Sequence, residues 1–415
     1  MVCMPINSIP MTPNRLVFIL LLVTLYSVVR GQKMPATLLM DAKIVTHNQQ
    51  VRKAGNPALA AAYRQLMQEA DQLVKNNKVY SVMDKIPLPP SGDKHDYMSQ
   101  APYWWPDPTK ADGKPYIRRD GDRNPEINGI TDHDHFDKLM AESELLGLAY
   151  FYSGEEKYAE FGAKLLKTWF LNPETRMNPH LKYGQGIPGV NNGRGIGIIE
   201  TRELGKVCDA SALLAGSKHW DGTAQQELNK WFSSYLEWLM TSDLGKDEAD
   251  EHNNHGTYYD VQLVALALAC GRRDLAEKQL AVTKERMASQ WKPDGSQPHE
   301  LARTLSWNYT NMNLWGFMTL ARLAEHLRID LWTYETPDGK GIRKCVDFLV
   351  PFVEGQKAWT YQQIKPKSYE HSAAIFTLAS QKYHQPAYWT LLPSVKPEGR
   401  NAFMLPLLLG TTSNE

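Results

Sequence analysis

Asp250-Glu251-His252-Asn253-Asn254-His255-Gly256-Thr257-Tyr258-Tyr259-Asp260 runs straight into an apolar helical stretch, Val261 to Ala269. Two histidines, two amides, two tyrosines and three acids share those eleven residues. Polar groups at the mouth of a buried helix are costly unless each finds a partner. One reading is a satisfied helix N-terminus capped by Asn253 or Asn254. The other is a site.

Outward from this stretch the chain reads as helix after helix. Residues 57–76 fit a helix with Pro57 in its first turn. From Phe136 on, the spacing predicts helices near 136–152, 156–170, 198–215, 223–241, 256–270, 273–290, 309–328, 340–353 and 368–381, with Gly and Pro between them. Trp231, Tyr235, Leu236 and Leu239 mark a buried face at spacings of three and four. No strand-like alternation persists, so periodicity alone gives an all-α protein without a fixed-length repeat.

About fifty residues beyond Asn254-His255 stands Glu300-Leu301-Ala302-Arg303-Thr304-Leu305-Ser306-Trp307-Asn308-Tyr309. An Asn-His pair followed by Glu-Leu-Ala-Arg and a nearby tyrosine resembles the alginate lyase family of helical-toroid polysaccharide lyases. Tyr103-Trp104-Trp105-Pro106-Asp107-Pro108 resembles a segment of bacterial proteins in the same group. The resemblance implies an (α/α) toroid, or incomplete barrel, of about six to seven helical hairpins. It implies a catalytic set of Asn254, His255, Arg303 and Tyr309. Arginine and tyrosine are six apart here, one residue closer than in the family pattern.

Between Lys78 and His133 helical periodicity lapses. A long irregular run inside a compact domain is usually functional. Tyr103, Trp104 and Trp105 within it suit stacking on sugar rings, or plugging the end of a helical barrel. Arg118, Arg119 and Arg123, after Lys110 and Lys114, can attract an anionic chain or form a solvated face. Asp132-His133-Asp134-His135 has metal-ligand residue types without further ligands at set spacing, and reads as a loop with an N-cap aspartate. The glycines from Lys182 to Arg202 are no phosphate fingerprint, because no strand precedes them. They allow close backbone approach to a ligand. Arg194, Glu200 and Arg202 can form a buried charge network. Arg194, Asn253 and Tyr258 join the aromatic trio as candidate substrate contacts.

Arg15 and the apolar run Leu16 to Val29 have the pattern of a secretory signal, with cleavage expected before Gln32. A retained anchor helix is the alternative. Export to the periplasm or beyond is expected, with residues 32–415 forming one toroid domain. Removing residues 1–31 takes away two arginines and no acid, leaving 44 basic residues against 46 acids, a net charge of −2. Such a chain is no general nucleic-acid binder, and a polyanion would need a local basic patch. The expected partner is an anionic polysaccharide or oligosaccharide, with no membrane after signal removal, and the chain a monomer or weak dimer. Cys208, Cys270 and Cys345 are odd in number and lie in apolar runs, which favours buried thiols over disulfides.

The chemistry that fits is β-elimination on a uronate polymer such as alginate or glucuronan. Neutralising the C6 carboxylate lets the developing enolate form. Asn254 and Arg303 suit that task. A base takes the C5 proton and an acid protonates the leaving O4. His255 and Tyr309 can serve, and Tyr258 competes with Tyr309 for the acid role. No metal or other cofactor is expected. Two alternatives stand beside this. A glycoside hydrolase would pair carboxylates drawn from Glu200, Glu251, Asp260 and Glu300. A non-catalytic glycan-binding protein would use the aromatic loop alone.

Overall fold

A computed structural model describes residues 34–411. The expected signal segment lies outside the described residues. The described residues from Pro35 on form one compact unit.

The first helices are α1 (Ala42–Lys53) and α2 (Pro57–Asn76). After an irregular run come α3 (Asp132–Ser153), α4 (Glu156–Leu166), α5 (Gly205–Leu214), α6 (Gly222–Thr241) and the short α7 (Asp243–Ala249). The chain continues with α8 (Asn254–Ala269), α9 (Arg273–Gln290), α10 (Pro298–Leu301), α11 (Ser306–Glu325) and α12 (Ile342–Val353). Last come α13 (Glu370–Tyr383), α14 (Pro386–Trp389) and α15 (Asn401–Leu409).

Packing runs round a ring. Helix α2 touches α3, α3 touches α5, α5 touches α8, α8 touches α11, α11 touches α13, α13 touches α15, and α15 returns to α2. Helices α4, α6, α9 and α12 pack on members of that ring. The residue patterns explain the split. Helix α8 is buried on every side, from Asn254 through Ala267 apart from His255, which suits a helix covered all round. Helix α6 buries one stripe, Leu228, Trp231, Phe232, Tyr235, Leu236 and Leu239. The ring closes through Asn48, which donates to the Leu407 carbonyl at 3.0 Å, and Tyr152, which donates to the same carbonyl at 3.1 Å.

The helical expectation holds with local corrections. The reading 198–215 is a tight helix over Gly195–Thr201, then α5 after a break. Helices α1, α7, α10, α14 and α15 were not anticipated. Four short strands were missed as well: β1 (Met98–Gln100), β2 (Trp104–Trp105), β3 (Ile117–Arg118) and β4 (Tyr183–Gly186). β1 pairs in parallel with β4, and β2 pairs antiparallel with β3, setting Trp104 opposite Arg118. Asp132-His133-Asp134-His135 is the first turn of α3, not a loop, and Thr131 holds the cap position. Asp132 is fixed there by Lys85 at 3.0 Å. The glycines near 184–197 do approach closely, but to each other's backbone. A Cβ on Gly193 would strike the Lys182 carbonyl, and one on Gly197 the Gly184 carbonyl at 2.5 Å. Cys208, Cys270 and Cys345 are free thiols. No helix among the described residues is long and apolar enough to cross a membrane.

One buried cation sets the start of α8. Arg286 on α9 donates to Asp260 at 3.0 Å, to the Ala249 carbonyl at 2.5 Å and to the Glu251 carbonyl at 2.8 Å. Gly256 lies against it, where a Cβ would collide with the guanidinium and the Glu251 carbonyl. Burial pushes the Asp260 carboxyl up to about 6, against Arg286, Gln279 and Thr283, which pull it down. Removing one partner of such a pair leaves an uncompensated buried group, at about 3–5 kcal/mol. Arg286→Met should therefore lower the urea-unfolding free energy by that amount. A loss below about 1 kcal/mol, the scale of an ordinary surface change, would contradict this account.

Candidate active site

Asn253 is the cap of α8, and its Oδ1 accepts from the His255 backbone N–H at 2.8 Å. That places Asn254 and His255 in the first turn. Asn254 is fully buried. Its backbone N–H donates to Glu300 Oε1 at 2.7 Å, and its Nδ2 reaches both Glu300 oxygens at 3.1 and 2.9 Å. Its Oδ1 is buried without a partner. Burial pushes the Glu300 carboxyl up to about 7, although the Asn254 hydrogen bonds, Arg303 and His255 pull it down.

His255 is half-buried, and its Nδ1 lies 3.0 Å from Glu248 Oε1. Glu248 lies in the last turn of α7 and is wholly buried, which pushes its carboxyl up against the pull of His255. A carboxylate at Nδ1 fixes the ring and selects the tautomer that leaves Nε2 as an acceptor.

Arg303 follows α10 and Tyr309 lies in the first turn of α11. The Arg303 guanidinium sits 3.8 Å over the Tyr309 ring. Its Nη2 and Nε donate to the two oxygens of Asp120 at 2.8 and 3.2 Å. Thr304 adds its hydroxyl to Asp120 at 3.0 Å, and Arg118 adds a donor at 2.8 Å. Burial would raise the Asp120 carboxyl, but Arg303 and Thr304 outweigh it and hold it at about 2. The Tyr309 hydroxyl lies 3.0 Å from that of Tyr103. Burial, with Tyr103 beside it, pushes the Tyr309 phenol well up, and Arg303 only partly offsets that. Tyr309 therefore rests protonated.

The aromatic loop lies alongside. Trp104 and Trp105 are half-buried, and Trp105 donates to the Asp122 carbonyl at 2.9 Å. Arg119 stands 5.1 Å over the Trp105 ring, and Arg194 6.0 Å from the Trp104 ring. Arg194 donates to Gln185 at 2.7 Å, while its Nε is buried without a partner. Burial, with Arg118 nearby, lowers the Arg194 guanidinium to about 10, against Glu200, Glu248 and Glu251. Arg118, Arg119 and Arg123 are all exposed.

Asn254, His255 and Arg303 thus gather about Glu300, and Tyr309 lies beneath Arg303 with Tyr103 beside it. Tyr258 does not join them. It is 2% exposed and its hydroxyl donates to the Met312 carbonyl at 3.0 Å, inside the ring. The proposed charge network of Arg194, Glu200 and Arg202 does not form as such. Glu200 accepts from Tyr97 at 2.7 Å and Ser99 at 2.5 Å, and Arg202 donates to the Ile199 carbonyl at 3.3 Å. The acids of the hydrolase alternative are engaged too: Asp260 by Arg286, Glu300 by Asn254, Glu200 by Tyr97, Glu251 by Asn253 at 3.0 Å. Sequence reasoning missed Asp120 and Glu248 altogether, and saw Glu300 only as a spare acid. The adjacency of Asp120 to an arginine-rich run and of Glu300 to Arg303 were the only signals available.

Comparison with known proteins bears on this geometry. The alginate lyase family model matches residues 81–359. The crystal structure of an alginate lyase from Bacteroides ovatus shares 37% identity, with a TM-score of 0.86 over 91% of this chain and 100% of that one. Alginate lyase A1-III from Sphingomonas species A1 superposes with a TM-score of 0.51 at 18% identity, over 84% of this chain and 92% of its own. A histidine-to-alanine variant of A1-III complexed with a tetrasaccharide gives 0.57 at 15% identity, over 94% and 100%. These last two show the shared helical toroid alone. No curated protein matches the chain. The matched model, over residues 81–359, and the Bacteroides relative, over 91% of the chain, show that this chain belongs to the alginate lyase family of polysaccharide lyases.

Proposed function

We propose that this lyase cuts a uronate-containing polymer, alginate or a related polyuronate such as glucuronan, by β-elimination at the group built on Asn254, His255, Arg303 and Tyr309. The observation that carries the reading is the protonated Tyr309 phenol stacked under Arg303. An elimination needs a proton for the departing O4, and arginine holds its own too tightly. Arg303 has two donors occupied by Asp120. Its chief part is then to stabilise the phenolate left on Tyr309, with Nη1 still able to meet the substrate carboxylate. Arg194, with an unpartnered Nε, supplies further charge for that carboxylate.

The amide of Asn254 is occupied while Glu300 is ionised. A protonated Glu300 can instead donate to the unpaired Asn254 Oδ1. The amide would turn over and free Nδ2 for the C6 carboxylate. The sugar decides the base. In mannuronate and glucuronate the C5 hydrogen and O4 share a face, and a Tyr309 phenolate, formed when the phenol gives its proton to solvent beside Arg303, can take the C5 proton and return it to O4. In guluronate they lie on opposite faces, and His255 Nε2 takes the proton. Tyr103, Trp104 and Trp105 would line the sugar subsites, with Asn253 holding the helix start and Arg118, Arg119 and Arg123 as the approach patch. That the similar structures are alginate lyases, one of them complexed with a tetrasaccharide, supports this substrate class. Export follows from Arg15 and the run Leu16 to Val29, which makes the working site the periplasm or the medium.

The test is turnover of alginate and glucuronan followed by the ultraviolet absorbance of the unsaturated product. Tyr309→Phe removes one hydroxyl and should lower kcat by at least ~10²-fold, the lower range for a positioned acid–base group. His255→Ala should cost as much on polyguluronate and less on polymannuronate. A folded Tyr309→Phe enzyme with native turnover would overturn the assignment.

Glu300 also gives a pH signature. Its carboxyl sits at about 7 in the fold and near ~4.3 unfolded. Between those values the folded chain holds the extra proton, so its contribution is full below the lower value and is lost as pH rises through the upper. Glu300→Gln should flatten the fall of Tm between those pH values. An unchanged slope would mean that Glu300 is ionised throughout.

A further inference from the structure

A second wall of the site comes from the irregular segment between α12 and α13, residues 354–369. Its backbone is fastened along the strip that joins Arg303 to Tyr309. Ile364 N–H donates to the Thr304 carbonyl at 2.9 Å, Ser306 N–H and Oγ donate to the Gln362 carbonyl at 3.2 and 2.6 Å, and Gln363 Nε2 donates to Asn308 at 2.8 Å. On its other side Ile364 packs at the Gly121 turn, next to Asp120. The family match ends at residue 359, so most of this segment lies beyond it.

The segment carries a cation beside two tryptophans. Lys367 is half-buried, with its ammonium 4.5 Å from the Trp307 ring and 5.7 Å from the Trp359 ring. Among the described residues it makes no hydrogen bond and no ion pair. Burial lowers its ammonium, and no acid stands close enough to raise it. Among the described residues Lys85 has Asp132, Arg286 has Asp260, Arg322 has Asp41 and Lys382 has Glu325, while Arg52 and Lys284 rest on the rings of Tyr63 and Tyr334 as Lys367 rests on its tryptophans. Beside Lys367 stand two further features of a sugar site. Trp359 lies 4.9 Å from Tyr361, and Tyr361 is 36% exposed. Lys365 is exposed on the same segment. A desolvated ammonium without a counter-ion is unfavourable in the free protein and becomes favourable when an anion arrives. Aromatic faces beside it give the apolar side of a pyranose a surface to cover.

We propose that Lys367, Trp359 and Tyr361 form an outer subsite that binds one uronate unit of the polymer, with Lys367 taking its carboxylate and the two rings its sugar face. This rests on the uronate reading of the active site. It adds a charge-reading position away from the bond that is cut, so it acts on binding and not on the chemical step. A polymer with a carboxylate on every sugar can occupy it wherever the chain is long enough. An oligomer too short to span from Tyr309 to Trp359 cannot.

The test uses the full-length enzyme and alginate oligosaccharides of defined length, with mannan oligosaccharides as the uncharged control. Lys367→Met keeps the stem on the rings and removes the charge. It should raise KM on long alginate oligosaccharides by about tenfold, the scale of one charge-assisted hydrogen bond, with kcat retained. The shortest oligomer cut should show no change. Lys367→Arg should restore the native KM, since arginine stacks on the same rings and keeps the charge. Equal KM for Lys367→Met and the native enzyme at every length, on an enzyme that does cleave alginate, would overturn the subsite and leave the lyase reading intact. Should the native enzyme cleave no polyuronate, the lyase reading fails, and tryptophan fluorescence with the same oligosaccharides decides the subsite alone. Binding lost in Lys367→Met and kept in Lys367→Arg would uphold it. Binding equal in both, absent from both, or matched by mannan oligosaccharides would overturn it.

Discussion

Arg286 is where fold and site meet. Its guanidinium is buried between two helices, and the donors it offers have no water to turn to. Asp260 fixes it to the middle of α8, and the Ala249 and Glu251 carbonyls fix the chain just before that helix. The segment between α7 and α8 is therefore held at both ends by one side chain. Asn253 caps the helix within that frame, so Asn254 and His255 emerge in fixed directions, one toward Glu300 and the other toward Glu248. Gly256 is the steric counterpart, because any side chain there would displace the guanidinium.

A similar logic operates on the opposite wall. Asp120 belongs to an irregular segment with little regular hydrogen bonding of its own, apart from the two-residue pairing of β2 with β3. Five donor contacts from Arg303, Thr304 and Arg118 make it the anchor of that segment. The aromatic rings of Tyr103 and Trp104 inherit their positions from this anchor. Ordering a long loop costs conformational entropy at every residue. One carboxylate tied to the residue stacked on Tyr309 couples the loop's order to the geometry of the site.

What could be read in the sequence follows from which forces are local. Helices such as α2, α4 and α6 show their apolar spacing openly. Helix α1 does not, because only Val45, Asn48 and Gln49 on it are buried, and two of those are polar. Ring closure was invisible for the same reason, since Asn48 and Tyr152 close it through a backbone carbonyl. Within the site, Asn254, His255, Arg303 and Tyr309 stood out as residue types with chemistry attached. Their partners did not. Glu248, Glu300 and Asp120 are three acids among 46, and only tertiary contact separates them from the rest. Tyr258 shows the converse. Its place beside His255 in sequence made it a rival, yet its hydroxyl is committed to the Met312 carbonyl inside the ring.

The three acids raise a question of charge. A site for a polyanion would gain attraction by omitting them, yet Glu248, Glu300 and Asp120 stand directly behind His255, Asn254 and Arg303. Attraction falls off slowly with distance and is screened by salt over roughly 10 Å, so cations on the loop can supply it from afar. Orientation cannot be supplied from afar. An arginine or imidazole free to turn would present a different face in each encounter, and its ordering would have to be achieved during catalysis. The carboxylates settle that beforehand, at the expense of local positive charge. Arg194 at its Nε and Lys367 at its ammonium are among the cations without such partners, and can offer their charge to an incoming carboxylate. The division places fixed geometry at the reacting bond and unmatched charge around it.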